Sequence, residues 1–286
     1  MILSFSPARL VSAAVAVASM FFAAVGAQTL DPSRLVTLGG SVTEIVYALG
    51  MGDKIVGTDQ SSIYPPEATK LPSVGYYRKL PSEGVASMNP SLIIASENAG
   101  PPEAIGQLKQ LGIPVVLVDD KPTIESLRTR VQQVAAAVGL QREGERLLEK
   151  FDKELNQAKS TAVPDLRAMT VVMRGGKLLG AGSETAANVV LEQAGLKNVL
   201  ADQKSYRPLS PEVVSALSPD VIVVTSSTVD SMGGLDKVKE SPVLSMTPAA
   251  KNDKLIVLDD LLAQGFGLRF PEALSRVHDG VMGATK

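Results

Sequence analysis

Short apolar runs dense in β-branched residues recur along this chain. They fall at Arg34-Leu35-Val36-Thr37-Leu38, Ile55-Val56-Gly57, Leu92-Ile93-Ile94-Ala95 and Val115-Val116-Leu117-Val118, and again at Thr170-Val171-Val172-Met173, Val221-Ile222-Val223-Val224 and Leu255-Ile256-Val257-Leu258. They are apolar throughout rather than alternating, the pattern of strands buried on both faces, and helical segments lie between most of them. That order predicts parallel strands covered by helices, grouped in two α/β lobes. Between the groups, Leu147, Leu148, Phe151 and Leu155 recur at helical spacing among charged residues. One long helix over 141–163 is predicted to tie the lobes together, with Pro164 closing it. The lobes then span 28–140 and 164–286. The stretches from Asp119 to Thr123 and from Ser226 to Gly234 are polar or contain glycine and are expected to be loops.

The first 27 residues carry Arg9 as their only charge, then an apolar run from Leu10 to Val25 and a small-residue Val25-Gly26-Ala27 before Gln28. This is the pattern of a secretory signal peptide cut after Ala27, and the apolar run is too short for a membrane span. With no cysteine in the chain, neither disulfides nor a thiolate site nor a cysteine nucleophile can be built. The 28 basic and 30 acidic residues are interspersed, so the concentrated basic surface that nucleic acid requires is missing.

An internal repeat carries more information. Tyr77-Arg78-Lys79-Leu80-Pro81-Ser82-Glu83 leads into Asn89-Pro90-Ser91-Leu92-Ile93-Ile94, and Tyr206-Arg207-Pro208-Leu209-Ser210-Pro211-Glu212 leads into Ser218-Pro219-Asp220-Val221-Ile222-Val223. The two align without a gap, and Gly40-Ser41-Val42-Thr43-Glu44 and Gly182-Ser183-Glu184-Thr185 extend the match upstream. Each lobe thus offers a Tyr-Arg pair at a loop and, six residues after the tyrosine, a glutamate. Such a pair of lobes is suited to holding something between them.

Enzymatic machinery is sparse. The segment Ser41-Val42-Thr43-Glu44 follows a strand but fits no phosphate-loop spacing; a capping box, with Ser41 and Glu44 satisfying helix-terminal donors, is the expectation, and Ser183 is expected to cap the equivalent helix. The only histidine, His278, falls in a C-terminal helical pattern and is expected to be solvated. One histidine cannot supply a two- or three-histidine zinc site, and G-x-S-x-G is absent, so nucleophilic and zinc catalysis both lack components. Asp259 and Asp260 could serve as acid and base in an exported enzyme, although adjacent aspartates before a loop are more often turn and cap groups.

The segment Val74-Gly75-Tyr76-Tyr77-Arg78 remains. Aromatics make up only 4% of the chain, with five tyrosines, so two adjacent ones beside Gly and Arg stand out. A phenolate is a hard anionic ligand for ferric iron and tyrosine is an axial haem ligand. A neighbouring guanidinium favours the phenolate and can also pair with carboxylates such as haem propionates.

At these residues the chain resembles a known family. Leu38-Gly39-Gly40-Ser41-Val42-Thr43-Glu44, Val74-Gly75-Tyr76-Tyr77-Arg78 with Leu80, Ser82, Glu83 and Gly84, Tyr206-Arg207-Pro208-Leu209-Ser210, and Asp259-Asp260 followed by Gly265-Phe266-Gly267 are similar to the periplasmic haem-binding proteins of bacterial haem ABC importers, within the wider cobalamin and ferric-siderophore binding class. The resemblance runs from about Arg34 to the end. It implies a class III periplasmic binding protein, two Rossmann-like lobes joined by a long helix, that catalyses nothing. Such a protein is a periplasmic monomer that captures haem and delivers it to an inner-membrane permease and ATPase complex; a siderophore or cobalamin ligand is the alternative. The family pattern Gly-Tyr-x-Arg maps the iron ligand to Tyr76. Arg78, Arg207 and Tyr206 would then contact haem or its propionates. Some members carry a histidine after the first strand of the second lobe and hold a haem pair; here Arg174 occupies that stretch, which implies a single haem with Arg174 at the cleft rim. Glu83 and Glu212 would dock the two lobes onto a two-fold permease.

Overall fold

A computed structural model describes residues 30–283, and the expected signal peptide lies outside the described residues. The first lobe follows the order β1 (Leu35–Leu38), α1 (Gly40–Ala48), β2 (Ile55–Thr58), α2 (Ser82–Ala86), β3 (Leu92–Ser96), α3 (Pro102–Gln110), β4 (Val115–Val118) and α4 (Ile124–Ala137). Its strands are parallel in the order β2-β1-β3-β4. The order reverses between β1 and β3, which opens a crevice beyond their carboxyl ends, the usual ligand position in such sheets.

The helix α5 (Gln141–Lys159) leaves this lobe and buries Leu148, Phe151, Leu155 and Ala158 along one stripe. The second lobe contains β5 (Arg167–Arg174), β6 (Lys177–Ala181), α6 (Ala186–Gln193), β7 (Lys197–Asn198), β8 (Tyr206–Pro208), α7 (Pro211–Leu217), β9 (Val221–Thr225), α8 (Ser226–Met232), α9 (Leu235–Lys239), α10 (Pro248–Lys251), β10 (Leu255–Leu258), α11 (Asp260–Gln264) and α12 (Phe270–Met282). The stripe on α5 packs against α4 of the first lobe and α12 of the second.

Each lobe has its own core. Val36, Leu38, Val74, Tyr77, Ile93 and Leu108 fill the first, and Met169, Val171, Leu200, Ile222, Val224 and Leu244 the second. The continuous apolar runs are strands of these sheets: β1, β3, β5 and β9 are central, and β2, β4 and β10 lie at sheet edges. Among the described residues, no helix is long and apolar enough to cross a membrane.

Six local expectations are corrected. The second sheet is mixed rather than parallel, because β6 and β8 add antiparallel strands at one edge, and Tyr206-Arg207 therefore lies on a strand rather than in a loop. The segment from Ser226 begins a helix and only its end, at Gly233-Gly234, is a turn. Ser41 and Glu44 form no capping box: Gly39 precedes α1 without a side-chain cap, and both side chains are drawn into contacts with distant segments. Ser183 donates to the Gln203 carbonyl, and Thr185 caps α6 instead. His278 is 3% exposed rather than solvated, because α12 turns that face toward α6, where Nε2 meets the Ala194 carbonyl at 3.1 Å.

Candidate functional site

Where the strands of both lobes end, two tyrosine and arginine clusters flank one junction. In the first lobe the turn after β2 runs through Gly75, whose φ of +92° is readily adopted only by glycine. Tyr76 follows with extended backbone, and Tyr77 opens a 3-10 turn over Tyr77–Lys79. This change of backbone separates the neighbours: Tyr77 is 8% exposed within the core and Tyr76 is 41% exposed. Their rings meet edge to face at 5.2 Å, and the Arg78 guanidinium lies 4.9 Å from the centre of the Tyr77 ring. Burial, reinforced by the Asp120 carboxylate and opposed by Arg78, pushes the Tyr77 hydroxyl up to about 12.

In the second lobe, Arg174 at the end of β5 lies 4.2 Å from the centre of the Tyr206 ring, and its Nη2 donates to Gln264 Oε1 at 2.7 Å. Burial raises the Tyr206 hydroxyl above the ordinary range, and Arg174 opposes the shift. Successive strand residues point to opposite faces, and the exposed Arg207 turns away from this group: its Nε donates to the Lys204 carbonyl at 3.0 Å. The structure thus pairs Tyr206 with Arg174 rather than with its neighbour in sequence. Glu83 and Glu212 are exposed in the first turns of α2 and α7, and the Ser210 hydroxyl holds the Glu212 carboxyl below its usual range.

The junction is built from residues that local sequence patterns did not single out for it. Helix α11 reaches the first lobe so closely that a Cβ on Gly40 would lie 2.7 Å from Leu261 Cδ1. Arg130 is fully buried. Its Nε donates to the Asp119 carbonyl at 2.6 Å, and its Nη1 to Ser41 Oγ at 2.8 Å and to the Phe266 carbonyl of the second lobe at 3.0 Å. Its Nη2 lies 2.9 Å from Asp120 Oδ1, and the other oxygen of that carboxylate accepts from Ser96 at 2.6 Å. A signal existed, since Arg130 falls in the core register of α4 among Leu127, Val131 and Val134. An arginine at such a position needs partners from elsewhere in the fold.

Glu44 makes the second bridge. Its Oε1 accepts from the Arg269 backbone N–H at 2.9 Å. The Arg269 guanidinium pairs with Asp259 at 3.0 Å and lies 3.6 Å from the centre of the Tyr64 ring. Asp259 also caps α11, while Asp260 accepts from Ser226 and Ser227, so both aspartates serve as cap and loop groups. Among the described residues, no cluster of acidic, histidine or cysteine side chains could hold a metal ion.

Burial raises the Glu44 carboxyl to about 7, against the opposing charge of Arg269 and with Asp259 and Glu272 adding to the rise. The folded state therefore keeps a proton that the unfolded chain releases near pH 4.5, and stability falls as pH rises from about 4.5 to about 7. Glu44→Gln is expected to remove that slope, raising stability at pH 8 by on the order of 3 kcal/mol and far less at pH 5. Thermal melts of the ligand-free protein at pH 5, 6, 7 and 8 check this, and parallel pH profiles for the two proteins would refute it.

Comparison with known proteins agrees with this architecture. The periplasmic binding protein family model matches residues 35–262. The solved periplasmic haem-binding protein RhuT from Roseiflexus sp. RS-1, in apo form, is 38% identical with a TM-score of 0.84, covering 89% of this chain and 99% of that one. A periplasmic haem-binding protein from Pseudomonas aeruginosa is 32% identical with a TM-score of 0.80, covering 89% and 94%. A vitamin B12-binding protein of Yersinia pestis is 30% identical over 204 residues, 70% of this chain and 72% of that protein. Two α/β lobes joined by one helix, with a crevice at the strand ends and a match over most of the length, place this chain in the periplasmic binding protein family.

Proposed function

We propose that this protein captures haem in the crevice between its lobes and delivers it to an ABC permease of the inner membrane, acting in the periplasm as a binding protein without catalysis. The observation that carries this is the exposed Tyr76 phenol, set by Gly75 at the crevice beside Arg78, in a chain similar over nearly nine-tenths of its length to haem-binding proteins. Of the two adjacent tyrosines, Tyr76 is the one available to ferric iron. Tyr77 is packed in the core, where burial opposes its ionisation.

In this proposal Tyr76 ligates the iron of a single haem. Arg78, Arg174 and Tyr206 meet the porphyrin edge or propionates, whereas Arg207, turned to the other face of its strand, lies outside this group. Guanidinium groups suit that role because they pair with carboxylates in a fixed fork. Titration with haemin followed by absorption spectroscopy tests the function: a ferric tyrosinate spectrum saturating near one equivalent is expected. Similarity to vitamin B12-binding proteins favours a second reading, cobalamin, and a parallel titration with cyanocobalamin separates them. Binding of cyanocobalamin with no haemin spectrum would overturn the haem proposal.

Glu83 and Glu212 are proposed to dock the two lobes onto the permease, since equivalent exposed carboxylates, one per lobe, are what a two-fold partner can recognise. Rim charges act mainly on encounter and orientation. The Glu83→Ala, Glu212→Ala double variant is therefore expected to bind haemin normally and to slow delivery to the permease in proteoliposomes by about tenfold or more. Transport at the wild-type rate would reduce both residues to helix N-terminal charges.

A further inference from the structure

Three strands of the second sheet end side by side at the junction. β5, β9 and β10 are parallel neighbours, and their carboxyl ends carry Arg174, the start of α8 and, after Asp259, the start of α11. Ligands of open α/β sheets sit outside such ends, and α11 is the helix that meets Gly40 of the first lobe. A line of polar side chains connects the three strand ends. Asp260, in α11, accepts from Ser227 Oγ at 2.6 Å and from the Ser227 N–H at 3.0 Å, which ties it to the start of α8. Its Oδ1 also accepts from Gln264 Nε2 at 3.3 Å, one turn further along α11. Gln264 Oε1 in turn accepts from Arg174 Nη2 at 2.7 Å, and the guanidinium rests on the Tyr206 ring, 4.2 Å from its centre.

The residue types in this line admit one arrangement. An ionised carboxylate only accepts and a guanidinium only donates, so the amide of Gln264 must turn its NH2 to Asp260 and its carbonyl to Arg174. Gln264→Glu would set a second carboxylate against Asp260, and an aliphatic side chain there would leave Arg174 unheld. The amide also leaves the charge of Arg174 uncompensated. Its two contacts are with neutral groups, and it takes part in none of the ion pairs among the described residues. An exposed arginine ordinarily spreads over many rotamers. Arg174 is exposed, yet stacking on one side and a hydrogen bond on the other fix its plane before any ligand arrives. A cation ordered in advance loses less freedom when it meets an anion.

We propose that Gln264 is a positioning residue for haem: held by Asp260, it fixes Arg174 against Tyr206 so that the donors it leaves free on the guanidinium meet one propionate. This rests on the haem reading of the crevice and adds a direction to it, with a propionate edge turned toward the end of β5. Haemin and its dimethyl ester, which has no free carboxylate, separate positioning from packing. Haemin is expected to bind Gln264→Leu about tenfold more weakly than wild type, and the ester to bind both proteins equally. In an Arg174→Ala background, Gln264→Leu should weaken haemin binding no further, because the residue acts through Arg174. Equal haemin affinity in wild type and Gln264→Leu, a parallel loss for the ester, or an undiminished effect in the Arg174→Ala background would each overturn the proposal while leaving haem binding in place. A wild-type protein that binds no haemin would overturn the proposed function and this inference together, so the two failures are told apart by the wild-type titration.

Discussion

Replacing Tyr76 by phenylalanine is expected to abolish the charge-transfer band of a high-spin ferric tyrosinate haem and to weaken haemin binding by at least about a hundredfold, roughly 2.7 kcal/mol. The substitution removes one oxygen from a side chain that is 41% exposed, so it takes away the iron ligand with little effect on packing. Tyr77→Phe is the matched control. Tyr77 lies in the core with its hydroxyl beside Arg78, and its loss should leave the haem spectrum near wild type. Absorption spectra and haemin titrations of the two variants decide the assignment. An unchanged spectrum in the Tyr76 variant would remove it as the ligand, and a spectrum lost only in the Tyr77 variant would move ligation to the second tyrosine.

The largest effect on folding is expected at Arg130. Substitution by methionine keeps much of the volume but leaves the Asp120 carboxylate without its cation. It also strips a donor from the carbonyls of Asp119 and Phe266. Breaking a buried pair by removing one partner typically costs about 3–5 kcal/mol, because the remaining charge stays buried and uncompensated. Asp120 keeps its bond from Ser96 and is partly exposed, which places the expected loss near 3 kcal/mol. Arg130→Lys should recover part of it, since an ammonium restores the charge but cannot span the same set of acceptors in a planar fork. Urea unfolding of the ligand-free proteins measures this. A loss below about 1 kcal/mol for the methionine variant would mean that the network holds little of the junction together.

The fold was largely legible because its central strands are buried on both faces. A run such as Leu92-Ile93-Ile94-Ala95 has no polar alternation and can only be a central strand or a buried helical turn, and its short length settles which. The antiparallel strands β6 and β8 carry no such signal. Lys177–Ala181 and Tyr206–Pro208 mix polar, small and proline residues, and only pairing, of β6 with β5 and of β8 with β6, makes them strands. The site was legible in part for a related reason. Gly75 before Tyr76 marks a turn that local chemistry dictates, whereas the partners of Arg130 lie 89 and 136 residues away. The repeat equated Tyr77 with Tyr206, yet one sits in a 3-10 turn and the other on an edge strand, so the shared letters do not give the two residues the same surroundings.

By itself the sequence determined the α/β class, the helix between the lobes and the family. The first two rest on patterns within about twenty residues, where periodicity and backbone preference act directly, and the family rests on motifs spread along the chain. Tertiary structure alone decided that Tyr206 meets Arg174 rather than Arg207 and that Glu44 and Arg130 bridge the lobes instead of capping or solvating a helix. It also decided that His278 is buried against α6. Those outcomes depend on the partners a buried polar group can reach. Because the cost of leaving such a group unpaired is large, it is the packing of distant segments that selects them.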